Sequence, residues 1–180
     1  MVSSKILFIL TSVALAAATP VQLSAGQLEK RSKYTDDMTA IGRALFNIKT
    51  EVKAWQEGLT ADPILTAFDA LNKAIKTATD NANSDPRPFN DADGGAIAHY
   101  ISLTTPGYVT RISDPLSFKV DSFDTPTKKS MHDKAVAAKI GFDSLCKRLE
   151  ARMRGELLNQ LDNGCYQVDF NLDDLASKLQ

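Results

Sequence analysis

Between Tyr34 and Leu59 the large apolar residues fall at alternating steps of four and three. They are Tyr34, Met38, Ile41, Leu45, Ile48, Val52, Trp55 and Leu59. That spacing puts them on one stripe of a helix. Asp36, Asp37, Arg43, Lys49, Glu51, Lys53 and Glu57 fill the other faces. Gly58 and the run Thr60-Ala61-Asp62-Pro63 stop the pattern, so it predicts one helix of a compact bundle rather than a rod. A second helix is expected from Asp62 to Ala82, with Asp62 as N-cap and Pro63 at the first helical position. Ile64, Phe68, Leu71, Ile75 and Ala78 form its stripe. Asn81-Ala82-Asn83-Ser84-Asp85-Pro86-Arg87-Pro88 then breaks any helix.

A third helix starts after Asn90 or Asp91, carries Ile97, Tyr100 and Ile101 inward, and is expected to end at Thr105-Pro106-Gly107. A fourth holds Val109, Ile112, Leu116, Val120 and Phe123, with Pro115 inside or splitting it. Asp124-Thr125-Pro126 stops it. A fifth runs from Thr127 to Leu161 on Met131, Ala135, Ala138, Phe142, Leu145, Leu149, Met153 and Leu157. Straight, it would be roughly 50 Å long, longer than its neighbours, so a bend or break is expected at Gly155. Asn163-Gly164 is expected to end it. Tyr166 to Phe170 alternates like a strand but has no partner strand, so it is assigned to a loop. Leu172, Leu175 and Leu179 then suit a short closing helix capped by Asn171. The fold class is all-α: a compact bundle of about five helices, one of them long with an expected break, plus a short C-terminal helix.

The ends of the chain change this picture. Met1 to Ala18 has Lys5, the apolar run Ile6 to Leu10 and Ala16-Ala17-Ala18, the layout of a signal peptide. Residues 19–31 read as a pro-segment ending in the dibasic pair Lys30-Arg31, which looks like a kexin-type processing site. Residues 32–180 remain as a single domain of 149 residues, enough for a sizeable core. The full chain has a formal charge of −1; residues 1–31 carry three basic groups against one acid, leaving −3 on the domain. That balance argues against a nucleic-acid partner. No other apolar run has membrane length, and Asp173 to Gln180 is no hydrophobic anchor tail. The expected product is secreted and released.

Cys146 and Cys165 are the only cysteines, and secretion favours pairing them. Geometry sets a condition. In an unbroken fifth helix Cys146 lies about 22 Å from the end at Leu161. The residues back to Cys165 recover roughly 14 Å at most, and a disulfide needs Cα atoms about 4.4–6.8 Å apart. A break near Gly155 shortens the outward arm to about 13 Å. The disulfide and the break are therefore expected together.

Catalytic and metal chemistry find little support. His99 and His132 lack metal-type neighbours. Asp91-Ala92-Asp93-Gly94 lacks the distal glutamate of a calcium loop and reads as a helix start with acids near the positive dipole end. No nucleophile elbow, phosphate loop or nucleotide fingerprint occurs. No catalytic residue, metal or cofactor is assigned. Asp36-Asp37 and Asp173-Asp174 read as solvated helix starts. Lys128-Lys129, Lys147-Arg148, Arg152 and Arg154 form a basic face; it is either ordinarily solvated or a site for a fatty-acid carboxylate or an anionic wall polymer.

The order of elements, with Trp55 near the end of a long amphipathic helix and Asp62-Pro63 opening the next, resembles the fungal hydrophobic surface-binding protein A family, also called the cell-wall galactomannoprotein family. The likeness rests on Ile41 to Trp55, Phe89-Asn90-Asp91-Ala92, Leu116 to Phe123, and Phe142-Asp143-Ser144-Leu145. It implies a secreted or cell-wall-associated helical protein, not an enzyme, that adsorbs to hydrophobic surfaces or holds a fatty acid between its helices. Leu45, Ile48, Phe68, Leu71, Ile101, Phe142, Leu145 and Leu149 would line the apolar space. Cell-wall polysaccharide and a secreted enzyme are further candidate partners. The alternative is a wall antigen, host-directed effector or inhibitor acting by protein contact. The small residues Ala44, Ala67, Ala135 and Ala138 in the stripes fit either close helix approach or room for a ligand.

Overall fold

The computed structural model describes residues 33–180. The expected signal peptide and the expected pro-segment with Lys30-Arg31 lie outside the described residues. The apolar stripes build helices α1 (Lys33–Ala54), α2 (Asp62–Asn83), α3 (Asp91–His99), α4 (Thr105–Ser117), α5 (Thr125–Glu150) and α6 (Gly155–Ser177). A π turn over Tyr100–Thr104 joins α3 to α4 without a gap, so the helices form five rods, and no strand occurs among the described residues. The all-α expectation is met.

The rods run alternately up and down. Asn81 Nδ2, near the end of α2, donates to Asp37 at the start of α1, 2.9 Å away. The Phe89 amide, just before α3, donates to the Arg152 carbonyl beyond α5 at 3.1 Å. These contacts define the lower end. At the upper end the rings of Trp55 and Phe123 meet at a tilt of 39° with centroids 4.1 Å apart. Ser113 of α4 donates to Asp174 of α6 there at 2.9 Å. Around the ring, α1 packs on α2, α2 on α5, α5 on α6, α6 on the α3–α4 rod, and that rod on α1. The stripes all face the enclosed interior, and their residues join one core cluster.

Each departure from the expected boundaries has a local cause. α1 stops at Ala54. The chain turns at Gly58, whose φ of 88° favours glycine. Leu59, expected on the inward stripe, is exposed instead, and its carbonyl accepts the Trp55 indole N–H at 3.0 Å. Lys119 reaches across from the end of α4 and donates to the carbonyls of Val52 at 2.9 Å, Lys53 at 3.1 Å, and Trp55. One ammonium thus satisfies carbonyls that a helix C-terminus leaves orphaned. Asp62 is not the N-cap of α2. That position is Ala61, without a side-chain cap, and Thr60 Oγ1 accepts from the Asp62 amide at 3.2 Å. For α3 the expected start holds, since Asn90 caps it by accepting from the Asp93 amide at 2.8 Å.

Thr105-Pro106-Gly107 does not end the third helix. The π turn widens the backbone just before Pro106, where a proline lacks the N–H an α-turn needs and its ring would strike the preceding carbonyl. Pro115 is carried in the last turn of α4. Asp124 caps α5, accepting from the Thr127 amide at 2.7 Å, so α5 starts at Thr125 rather than Thr127.

The expected break is present. α5 stops at Glu150, and α6 begins at Gly155, whose φ is +59°. Asn163-Gly164 is not a stop, and Tyr166 to Phe170 is not a loop: α6 runs through both. Gly164 is needed inside α6 because the π turn crosses there. A Cβ on it would lie 2.6 Å from Ser102 Cα. The closing helix is therefore long, and Asn171 is not its cap; its side chain donates to the Pro106 carbonyl at 3.2 Å.

Arg152 fastens the lower end. Its Nη1 donates to Tyr34 Oη at 2.8 Å, and its Nε to the Arg87 carbonyl at 2.7 Å. The guanidinium lies 3.8 Å from the Phe89 ring centroid and 4.7 Å from that of Tyr34. It is buried rather than part of the solvated basic face, and so is lost from that expected face. We expect Arg152→Met to lower the unfolding free energy by about 2 kcal/mol, the scale of hydrogen bonds made by a charged donor. A urea midpoint lowered at constant m-value would show this.

Candidate functional site

The interior of the ring is the site that the stripes create. Leu45 and Ile48 come from α1, Phe68 and Leu71 from α2, Ile101 from the π turn, and Phe142, Leu145 and Leu149 from α5. All are buried within the same core cluster. α6 adds Leu161, Val168, Leu172 and Leu175 from the fifth side. The long α6 was not expected, so these four were not assigned to the interior. In this structure the inward side chains pack on one another.

Few polar groups are buried among the described residues. The buried ones are Asp37, Thr105, Ser113 and Arg152. Thr105 Oγ1 donates to the Tyr100 carbonyl at 3.2 Å, and Lys178 donates to Ser113 Oγ at 2.7 Å. The expectation that Asp36-Asp37 is a solvated pair fails at Asp37. It is held by Asn81, and burial pushes its carboxyl above the ordinary 3.8. Asp173-Asp174 is no helix start either. It lies near the end of α6, with Asp173 paired to Lys139 at 3.0 Å and Asp174 to Lys178 at 2.7 Å. Lys147 pairs with Asp143 at 2.7 Å and Lys129 with Asp133 at 2.6 Å, all four exposed. Those lysines are neutralised locally. Among the described residues no group of His, Cys, Asp or Glu could hold a metal ion.

Beside the interior, Cys146 and Cys165 form a disulfide with Cα atoms 6.1 Å apart. A groove of about 230 Å³ runs along it, lined by Phe142, Glu150, Asp162 and Tyr166 among others. Burial, then the negative charge of Asp162, raises the Glu150 carboxyl above its ordinary 4.5. A raised carboxyl holds its proton more tightly in the folded chain. Its contribution to stability is therefore complete below the ordinary value and is lost as pH climbs through the raised one. Asp37 has the same sign. Asp174, held low by Lys178, loses its contribution only below 3.8. The urea midpoint should therefore fall as pH rises above the ordinary carboxylate range, and Glu150→Gln should flatten that fall.

The core that the five rods enclose is lined by hydrocarbon side chains. Residues 32–147 match the family described as hydrophobic surface binding protein A, and the chain belongs to it. The resemblance read from Ile41 to Trp55 and the later segments is thereby borne out. No curated protein sequence matches the chain.

Solved structures share the fold. Ligand-binding domain 1 of the Penicillium marneffei MP1 protein, complexed with arachidonic acids, superposes with a TM-score of 0.75 at 13% identity, over 83% of this chain and 97% of that one. AfMP4p in complex with palmitic acid gives a TM-score of 0.71 at 15% identity, over 82% and 98%. Ligand-binding domain 2 of the MP1 protein, with arachidonic acids, gives 0.64 at 10%, over 84% and 95%. The family and these neighbours are described as binding proteins. No described helix is long and apolar enough to cross a membrane.

Proposed function

We propose that this chain is a secreted, non-enzymatic carrier that holds a fatty acid in the interior of its helix ring. The observation that carries the reading is the ring itself: five rods turn apolar stripes inward into one core cluster. The same fold holds arachidonic and palmitic acids in the MP1 and AfMP4p structures. Leu45, Ile48, Phe68, Leu71, Ile101, Phe142, Leu145 and Leu149 would contact the acyl chain. Burying it would supply about 0.8 kcal/mol per methylene, against the cost of parting side chains that now pack together. Incubation with palmitate followed by native mass spectrometry should show a one-to-one species. A protein that stays ligand-free at large lipid excess refutes the reading.

Adsorption to a hydrophobic surface is the second reading, favoured by the family description and by exposed Phe46, Leu103, Phe118, Ile140, Tyr166 and Phe170. Wax or polymer beads would then deplete the protein from solution with a change in helicity; a protein left wholly in solution excludes it. Secretion rests on Met1 to Ala18, and processing on Lys30-Arg31. N-terminal sequencing of protein from a culture medium tests both, with Ser32 as the expected first residue. Cell-wall polysaccharide and a secreted enzyme remain partners to test by pull-down.

A further inference from the structure

The inward stripe of α1 has a gap. Gly42 sits between Ile41 and the pair Ala44 and Leu45, in the middle of a long helix where glycine is unfavourable. A residue from another rod fills the gap. Tyr100, the first residue of the π turn, lays its hydroxyl end over Gly42. A Cβ on Gly42 would overlap that hydroxyl and stand 3.0 Å from Tyr100 Cζ. The ring is half-buried, and burial pushes its phenol up to about 12. Its hydroxyl makes no hydrogen bond to any described residue. Packing alone therefore holds the ring in place.

Tyr100 stands between a surface pocket and the packed core. Outside is a pocket of about 230 Å³ bordered by Thr39, Arg43, Phe46, Asn47 and Tyr108. Inside, the next residue, Ile101, is fully buried in the core that also contains Ile41, Leu45 and Val109. Arg43 lies on the rim of the pocket. Arg111 borders the adjoining groove, which shares Tyr108. Neither arginine has an ion-pair partner among the described residues, as is also true of Lys73, Arg148 and Arg154 elsewhere on the surface. Two unpaired cations beside exposed Phe46 and Leu103 match the head and first methylenes of a fatty acid.

We propose that Tyr100 is a side-chain gate over Gly42, and that the gap between α1 and the π turn admits a long-chain carboxylic acid to the interior. Arg43 and Arg111 hold its carboxylate at the rim. The proposal rests on the fatty-acid reading and adds a route and named residues to it. The π turn places the gate, because its widened backbone sets Tyr100 out over the neighbouring helix while Ile101 still points inward.

The test is stopped-flow fluorescence with cis-parinaric acid. Wild-type protein that binds no cis-parinaric acid at equilibrium overturns the fatty-acid reading and the gate together. If it binds, Gly42→Ala should displace the Tyr100 ring and raise association and dissociation rates alike by about tenfold, leaving Kd within about twofold. Adding Tyr100→Phe to Gly42→Ala removes the overlapping hydroxyl and should return both rates toward wild type. Tyr100→Ala opens the same gap without touching α1, and serves if the Gly42 variant folds poorly. Arg43→Gln with Arg111→Gln should slow association at low salt and remove its salt dependence, with no such effect on the matching alcohol. Wild-type rates in both Gly42→Ala and Tyr100→Ala overturn the gate while leaving the fatty-acid reading intact. So does a rise confined to dissociation, which marks a damaged interior.

Discussion

Phe68→Ala should remove about 3–5 kcal/mol of folding stability, since it deletes a ring from a close-packed core and leaves a cavity that can only partly collapse. Phe68 has no solvent exposure and lies on α2, which packs on both α1 and α5. For a domain of this size the melting temperature should fall by on the order of 10 °C. A carrier would add a second consequence. The space vacated by the ring is apolar and enclosed, the kind that an acyl chain fills without losing hydrogen bonds. Saturating palmitate should therefore raise the melting temperature of Phe68→Ala by more than it raises that of the wild type. A protein that only adsorbs to surfaces would show the loss without the larger rescue. Thermal melts of both proteins, each with and without palmitate, separate the two outcomes.

Much of the fold was legible because apolar periodicity speaks for the elements that bury one face. The stripe from Tyr34 to Trp55 and that from Ile64 to Ala78 are regular, and both helices follow them closely. The failures lie where a tertiary contact overrides a local stop signal. Thr105-Pro106-Gly107 reads as a terminator until the π turn relieves the proline. Asn163-Gly164 reads as a C-cap, yet Gly164 is there so that α6 can press against Ser102. Leu59 continues the spacing on paper, but Gly58 turns the chain first. Charged residues misled for a related reason. Arg152 and Asp37 look solvated in sequence, and their partners Tyr34, Phe89 and Asn81 arrive from distant segments.

The interior was readable as a list and not as a shape. Periodicity says that Leu45, Phe68 and Leu145 point inward, and they do. It showed only the end of α6, through Leu172, Leu175 and Leu179; Leu161 and Val168 were separated from them by the supposed stop at Asn163-Gly164 and the supposed loop from Tyr166. It placed Tyr100 inward with Ile97 and Ile101, and could not show that its hydroxyl end lies over Gly42 of α1. One signal was present: a glycine inside a strong helical stripe, as at Gly42, is costly and marks a place where something approaches closely.

Removing the disulfide with the pair Cys146→Ala and Cys165→Ala should cost about 3 kcal/mol, the loop-closure value for a crosslink spanning 19 residues. The loss has a location. The family match ends at residue 147, immediately after Cys146, so this bond ties α6 to the part of the chain that carries the family pattern. α6 closes the ring between α5 and the α3–α4 rod, but the turn that joins it to α5 is short and ends at a glycine of positive φ. Without the crosslink, α6 should be the first rod to leave. Hydrogen exchange followed by mass spectrometry should then show faster exchange in α6 and the end of α5 than in α1 and α2. A uniform rise in exchange would mean that the ring opens only as a whole. If α6 is a wall of the binding space, palmitate should restore its protection in the variant, because a ligand that binds only the closed ring stabilises whichever element must close it.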